Sequence, residues 1–428
     1  MKTVIMAGGK GTRIASVANN IPKPMIPIEG KPVLERELIC LRDQGFDDII
    51  ITVSYLGHII TDYFGNGDSL GLHIDYYCEK EPLGNAGALF RIKDKLTDDF
   101  LLINGDAVFD IDFNKFVEYH KSCGGLVTLF THPNSHPYDS GVIVSDMQKR
   151  VINWLTKEDE RPLYYKNRVN AGLHVMSPII LEQKITSQKI DLDRQLLKPL
   201  AGSGQMFVYD SPEYVKDMGT PDRYDTVCKD FAHGRVHAKN LMCKQKAVFI
   251  DRDGTINEYA GFITKPEQFQ LKDGVAEAIR KINNSGYLAI VVSNQPVIAR
   301  GDCTIEELDE IHNKMETLLG REGAYVDDIF YCPHHPDKGF IGERLEYKII
   351  CDCRKPKPGM LLNAAKKYNI DLEQSYMIGD SDRDIEAGLS AGCQAVYIGE
   401  DEGKYKSIQK IIKCSSLVDF TSKYINIT

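Results

Sequence analysis

The sequence predicts two Rossmann-like α/β domains in tandem. Three observations point there. The chain opens with a short apolar strand, a glycine-rich turn and a helical pattern. Strand and helix patterns then alternate through the first half. At residue 247 the alternation starts again from a new apolar strand, with a different motif behind it.

The bulk properties agree with this. A length of 428 residues suits two or three domains, and 43% hydrophobic with 26% charged residues is a globular composition. A net charge of -9 argues against the broad basic surface of a nucleic-acid binder, while leaving room for a local phosphate site. No run of 18 apolar residues occurs, so no membrane span is expected. The N-terminal apolar run stops at glycines, too soon for an export signal. The eleven cysteines are scattered, apart from three grouped near a histidine. That usage predicts a reducing, cytoplasmic setting. Assembly into a homo-oligomer is compatible with the sequence.

In the first half, apolar strands are expected at 4–6, 49–53, 100–103, 125–130 and 141–144, with a helix over 33–44, giving a mostly parallel sheet. The second half should hold strands at 247–250, 288–292 and 376–378, a helix at 274–283, and a final strand and short helix from 396. There is no internal repeat, and no Pro/Gly/Ser linker at 238–246. The expected domains are 1–240 and 245–428.

Gly8, Gly9 and Gly11 make a tight turn whose backbone N–H groups, at a helix start, suit phosphate. Thr12 can add a hydrogen bond and Arg13 a planar fork. The Gly-Lys-Ser ending of a Walker loop is missing. Lys23 stands between Pro22 and Pro24, which fix its backbone. Asp106 closes a strand after Asn104 and Gly105, and Asp217 lies in Lys216-Asp217-Met218-Gly219-Thr220-Pro221. Two carboxylates from such distant segments could share a Mg²⁺ that bridges phosphate oxygens.

On these residues the first half resembles the nucleoside-diphosphate-sugar pyrophosphorylases, close to the mannose-1-phosphate guanylyltransferases. Gly8-Gly9-Lys10-Gly11-Thr12-Arg13 matches the family's loop, and Pro22-Lys23-Pro24-Met25 its lysine motif. Glu81-Pro82-Leu83-Gly84-Asn85-Ala86-Gly87-Ala88 matches the base- and sugar-side loop, with Asn85 where members usually have Thr. Asn170-Ala171-Gly172 matches the sugar-contacting motif. The resemblance implies a nucleotidyltransferase fold with a mixed sheet. It also implies that the glycine loop and Arg13 hold a nucleoside triphosphate, that Lys23 offsets phosphate charge, and that Asp106 and Asp217 hold Mg²⁺. Gly84, Asn85, Asn170 and Gly172 would contact nucleotide or sugar.

The second half carries another chemistry. Asp251 follows four apolar residues and Asp253 lies two further on, so a turn after the strand can aim both at one pocket. Asp251 can attack phosphorus as a carboxylate nucleophile. Asp253 can protonate the leaving oxygen and then activate water, provided its proton affinity is raised. Asp251, Asp380 and the Asp253 backbone carbonyl would hold Mg²⁺. Ser293 can donate to a phosphoryl oxygen and Lys355 can neutralise charge. A Ca²⁺ loop is excluded, because its twelfth position is Phe262. The ordered set Asp251-Arg252-Asp253-Gly254-Thr255, Ser293-Asn294, Lys355 and Gly379-Asp380-Ser381-Asp382-Arg383-Asp384 resembles the haloacid-dehalogenase-like phosphatases, with Asp384 as a supporting acid.

Cys332-Pro333-His334 is followed, 16 residues on, by Cys351-Asp352-Cys353. Three thiolates and an imidazole from His334 or His335 suit a tetrahedral Zn²⁺ that staples a loop poor in apolar residues. With Asn294-Gln295, Ala299-Arg300-Gly301 and Cys353-Arg354-Lys355-Pro356, this clip is similar to the heptose-1,7-bisphosphate 7-phosphatases. Histidinol-phosphate phosphatases share the clip. The resemblance favours His334 as ligand and Asn294, Arg300 and Arg354 as substrate contacts. Gln295-Pro296-Val297 stands where heptose phosphatases more often have Gln-Ser-Gly. A 7-phosphatase yields heptose 1-phosphate, which a nucleotidyltransferase consumes. The pairing therefore implies GTP and heptose phosphates as partners and GDP-heptose as product, with D-glycero-α-D-manno-heptose 1-phosphate between. Another sugar phosphate, histidinol phosphate for the second half, or a silent scaffold are the alternatives; the retained acids and Lys355 argue against silence.

Overall fold

The computed structural model describes residues 1–9, 14, 16–17, 20–183, 188–399 and 411–426. The chain forms two compact units. The first comprises Met1–His132, Gly141–Thr156 and Arg168–Asn240; the second comprises Pro133–Ser140, Lys157–Asn167 and Leu241–Thr428.

The first unit is built on β1 (Thr3–Met6), α1 (Val33–Arg42), β2 (Asp48–Val53), β3 (His73–Cys78), β4 (Phe100–Asn104), β5 (Ala107–Asp110), β6 (Val127–His132), β7 (Val142–Ser145), β8 (Val151–Leu155), β9 (Val169–Met176), β10 (Met206–Asp210), β11 (Tyr214–Asp217) and α2 (Pro221–Ala232). Its nine-stranded sheet runs β8-β7-β9-β4-β1-β2-β3, with β6 on β9 and β10 on β6. The β4-β1-β2-β3 portion is parallel. Val4, Ile5, Ile49, Ile51, Leu101 and Ile103 are buried on both of its faces, as parallel strands between layers require. Beyond β4 the pairing turns antiparallel at β9, and β7 and β8 form a hairpin. The sheet is therefore mixed. Register sets Met6 beside both Thr52 and Asn104, so the loops after β1, β2 and β4 open at one end. A separate antiparallel ribbon pairs β5 with β11 and places Asp217 opposite Ala107.

The second unit contains β12 (Lys246–Ile250), α3 (Val275–Asn283), β13 (Tyr287–Asn294), α4 (Ile305–Arg321), β14 (Asp328–Cys332), α5 (Gly359–Tyr368), β15 (Tyr376–Gly379), α6 (Asp382–Ala391), β16 (Gln394–Ile398), β17 (Ile411–Cys414) and α7 (Leu417–Tyr424). All six strands are parallel, in the order β14-β13-β12-β15-β16-β17. Alternate residues feed two cores: Val248, Ile250 and Val291 on one face, Ala247, Phe249, Ile290 and Val292 on the other. Thr304 and Glu307 start α4 with a reciprocal capping box. Further along α4, Thr317 Oγ1 accepts from the Tyr165 N–H at 2.9 Å, and Glu316 Oε2 accepts from the Asn167 N–H at 2.9 Å. Segment 157–167 thus satisfies buried polar groups of this unit. No helix among the described residues is long and apolar enough to cross a membrane.

Candidate active sites

In the first unit the chemistry gathers where β1 and β4 end. Lys23 is 8% exposed, and its Nζ lies 2.6 Å from Asp106 Oδ2. The β5–β11 ribbon brings Asp217 next to them, and the Met218 N–H reaches the Asp106 carbonyl. Burial pushes the Asp217 carboxyl up, but the Arg223 fork, the Gly219 N–H and Lys23 outweigh it and hold the group below the ordinary carboxylate range. Arg223 Nη1 stands 2.7 Å from Asp217 Oδ2. An acid missed in the sequence backs this group. Glu37 of α1 is fully buried, both carboxyl oxygens lack a hydrogen-bond partner among the described residues, and burial, then Asp106, push its proton affinity well up.

The motif expected on the sugar side is braced from behind. Asn170 Oδ1 lies 3.1 Å from His174 Nε2 and accepts from the Gly172 N–H. Gly172 has φ +75°, and a Cβ there would stand 2.4 Å from Asn104 Nδ2, so glycine is required for this approach. Gly84 is similarly constrained: a Cβ would meet the Ile190 carbonyl at 2.3 Å. The Asn85 carboxamide is already used, accepting from the Leu192 N–H at 2.8 Å. It therefore fastens its loop to residues 190–192. Gly8 and Gly9 follow β1 as expected, whereas Gly11, Thr12 and Arg13 lie outside the described residues.

In the second unit the ends of β12, β13 and β15 converge. The Asp251 N–H binds the Ile378 carbonyl, which fixes the nucleophile candidate beside Asp380. Lys355 Nζ lies 2.6 Å from Asp251 Oδ1, 2.6 Å from Asp384 Oδ1 and 2.7 Å from the Val292 carbonyl. Burial raises Asp251 to about 8 despite Lys355, and Asp384 adds to the rise. Asp251, Asp380 and Asp384 bring carboxylate oxygens close enough to hold one metal ion. Such crowding of buried acids around one lysine fits a divalent cation. Asp384, expected only as a supporting acid, thus stands inside the cluster. Gly254 makes the packing feasible: its φ is +90°, and a Cβ would stand 2.0 Å from Asp380 Oδ2.

The Asp253 side chain is turned to other partners instead of the cluster. Arg252, fully buried, grips both of its oxygens at 2.9 Å. Gln295 Nε2 donates to Asp253 Oδ2 at 2.8 Å and to Ser293 Oγ at 2.7 Å. His312, on α4, lies 3.2 Å behind Arg252, and burial keeps it neutral. Gln295, Arg252 and His312 had no role from the sequence; the one available signal was a charged residue between the two motif aspartates. Asn294 exchanges two hydrogen bonds with the Lys355 backbone, so it positions the lysine.

His334 Nδ1 lies 3.3 Å from Cys353 Sγ and 3.7 Å from Cys332 Sγ, and the three sulfurs are 3.2–3.5 Å apart. The quartet can hold one metal ion. His335 faces Asp337 instead. Hydrogen bonds, first from Cys332, bring the Cys353 thiol down to about 5. Four soft and borderline donors at one point, with no other role for the sulfurs, fit a thiolate-loving metal. The following residues line a cavity of about 820 Å³ with Asp251, Ser293 and Asp380. Arg354 and Arg383 share this wall. Burial holds the Arg354 guanidinium below its ordinary range; the Cys332 sulfur opposes this and the Arg383 charge adds to it. Arg300, expected to touch substrate, is absent from the wall. Its guanidinium is sandwiched 4.5 Å from the Phe262 ring and 4.4 Å from Phe340, an arrangement favoured by cation–π attraction.

The Nucleotidyl transferase family model matches residues 2–233, and the HAD-hydrolase-like model matches residues 352–418. A D-glycero-beta-D-manno-heptose-1,7-bisphosphate 7-phosphatase from Yersinia pestis is 43% identical over 145 residues, 34% of this chain and 75% of that protein. Its counterpart from Pasteurella multocida is 45% identical over 148 residues, 34% of this chain and 77% of that protein. Among solved structures, HddC from Yersinia pseudotuberculosis is similar with a TM-score of 0.47 and 29% identity, covering 54% of this chain and 99% of its own.

Proposed function

We propose, for a chain that belongs to the nucleotidyl transferase family in its first half and to the HAD-like heptose-bisphosphate phosphatases in its second, that it makes GDP-heptose in two consecutive steps. The phosphatase module, 245–428, acts first. The Asp251 carboxylate attacks phosphorus of the 7-phosphate, and the bond from phosphorus to the sugar oxygen breaks. Asp253 gives that oxygen a proton, then takes one from the water that hydrolyses the aspartyl phosphate. Ser293 donates to a phosphoryl oxygen, and Lys355 balances the charge of nucleophile and phosphate. Mg²⁺, held by Asp251, Asp380 and the Asp253 carbonyl beside Asp384, would offset the charge developing on the phosphoryl oxygens. Zn²⁺ on Cys332, His334, Cys351 and Cys353 would hold the loop that leads into Arg354 and Lys355.

The transferase module, 1–240, then uses the product. An oxygen of heptose 1-phosphate attacks the α-phosphorus of GTP, and pyrophosphate leaves. Gly8, Gly9, Gly11, Thr12 and Arg13 would cradle the triphosphate, and Lys23 would offset charge at the reacting phosphates. Asp106 and Asp217 would hold a second Mg²⁺. The observation that carries the phosphatase assignment is Lys355 Nζ held 2.6 Å from both Asp251 and Asp384 at the end of the parallel sheet. The substrate rests on the named relatives and on the fit between the product of one module and the reactant of the other.

Separate substitutions test the two sites. Asp251→Asn should lower phosphate release by about a hundredfold or more and spare nucleotidyl transfer; Asp106→Asn should do the reverse. Loss of both activities from either change contradicts two independent sites. Release of phosphate from histidinol phosphate at comparable kcat/KM contradicts the heptose assignment.

A further inference from the structure

Two walls of the phosphatase cavity come from distant stretches of the chain. Tyr259, Gly261 and Phe262 line one side; His335, Pro336 and Asp337 line another. The first is a strip between two buried anchors, Asn257 and Ile263, and residues 258–262 between them are exposed. Among the described residues, 259–262 make no hydrogen bond. Arg300 meets the strip from outside the cavity. Its guanidinium carbon lies 4.5 Å from the Phe262 ring centre and 4.4 Å from that of Phe340. The Phe340 ring in turn stands edge-on to His335, with centroids 6.2 Å apart. One stack therefore runs from wall to wall: Phe262, Arg300, Phe340, His335. The backbone holds Arg300 in place. It closes the short helical turn Val297–Arg300, where the Ala299 carbonyl accepts from the Arg344 N–H at 3.0 Å. Gly301 follows with φ +78°, and a Cβ there would run into the Gly342 carbonyl. Arg300 Nε lies 3.0 Å from Asp302 Oδ2, so the charge is answered at its edge and both planar faces are left for the rings.

We propose that Arg300 is a positioning residue: stacked between Phe262 and Phe340, it fixes the spacing of the two cavity walls and so sets how tightly the sugar body of a phosphorylated substrate is held. The proposal rests on this cavity as the phosphatase site, with Asp251 as its reacting group. A wall ordered beforehand binds without the entropy loss of ordering it around the substrate. Asp251 and Lys355 are held by each other, by Ile378 and by Val292, outside the stack. Loss of the stack therefore weakens binding and leaves the chemical step nearly as fast.

Two readouts on the full chain test it. Chymotrypsin cuts after aromatic residues, and Tyr259 and Phe262 lie in the strip. Arg300→Leu and Phe340→Leu should each speed cleavage there about fivefold or more, with the rest of the digest unchanged. Phe340 is far from the strip in sequence, so its variant reports the stack and not local chemistry. Cleavage at the wild-type rate in Phe340→Leu, or a rise spread evenly over all sites, overturns the clasp. Steady-state phosphate release from D-glycero-D-manno-heptose 1,7-bisphosphate is the second readout. Arg300→Leu should raise KM about 3- to 10-fold with kcat within about twofold, and Arg300→Lys should recover part of the loss, because an ammonium keeps the attraction to the rings without the planar faces. A fall in kcat at constant KM, or no change in either, overturns the role in binding. If the wild-type chain leaves the heptose bisphosphate intact, the heptose assignment fails instead, and cleavage after Tyr259 and Phe262 still decides the clasp.

Discussion

His174 shows how a residue can matter to a site without touching it. It is fully buried, and burial brings its proton affinity down to about 3. One ring nitrogen faces Asn170 Oδ1; the other has no hydrogen-bond partner among the described residues. The unfolded chain takes up this proton near the usual 6.5, whereas the folded chain resists until about 3. Stability is therefore whole above about pH 6.5 and falls as pH drops through that window, by roughly 1.4 kcal/mol per pH unit for this one proton. His120 and His312, also lowered by burial, act in the same direction. Urea titrations from pH 7.5 to 4.5 should show the decline, and His174→Gln should make it shallower by about one proton. An unchanged slope in the variant contradicts a neutral His174. Asp251, just past the end of β12, and Lys355, in the turn before α5, were legible because each sits in a motif whose charge has few other uses. Glu37, His174 and His312 were not, because a polar residue on a helix or strand looks solvated until the fold shows which face is buried.

At the scale of elements, strand ends decide where chemistry sits. The parallel core strands were legible as apolar runs closed by glycine or acid, and 49–53 and 247–250 fall within β2 and β12. The antiparallel extension through β9, β7 and β8 was not legible in those runs, which do not state direction; a mixed sheet was expected only from the family resemblance. The ribbon that sets Asp217 beside Asp106 joins strands more than a hundred residues apart, and nothing local signals it. A metal held by the Cys332, His334, Cys351 and Cys353 quartet would staple the loop between Cys332 and Cys351. Its Ile341 is fully exposed and Leu345 and Ile350 are largely so, which leaves it little core of its own. Removal of a bound metal by a strong chelator should loosen this loop and cut phosphate release at least tenfold, with nucleotidyl transfer retained once Mg²⁺ is restored. Limited proteolysis between residues 333 and 350, before and after chelation, is the direct measure. Metal analysis should count about one zinc per chain. A loop equally resistant without metal contradicts the staple.

For the whole molecule, two enzymatic modules in one chain narrow the substrate more than either does alone. The division is not a single cut: the second unit takes in 133–140 and 157–167, and their composition gave no sign of it. The curated relatives are named for the β-anomer of the heptose bisphosphate, whereas guanylyl transfer as implied by the sequence uses the α-anomer. The central claim is that the phosphatase product feeds the transferase. Time-resolved ³¹P NMR of the purified full chain with D-glycero-α-D-manno-heptose 1,7-bisphosphate, Mg²⁺ and GTP tests it most directly. The predicted course is inorganic phosphate first, then pyrophosphate and GDP-heptose together. With Asp251→Asn, both later signals should vanish until heptose 1-phosphate is added. Phosphate without any nucleotide sugar, with GTP or any other nucleoside triphosphate, would contradict the account.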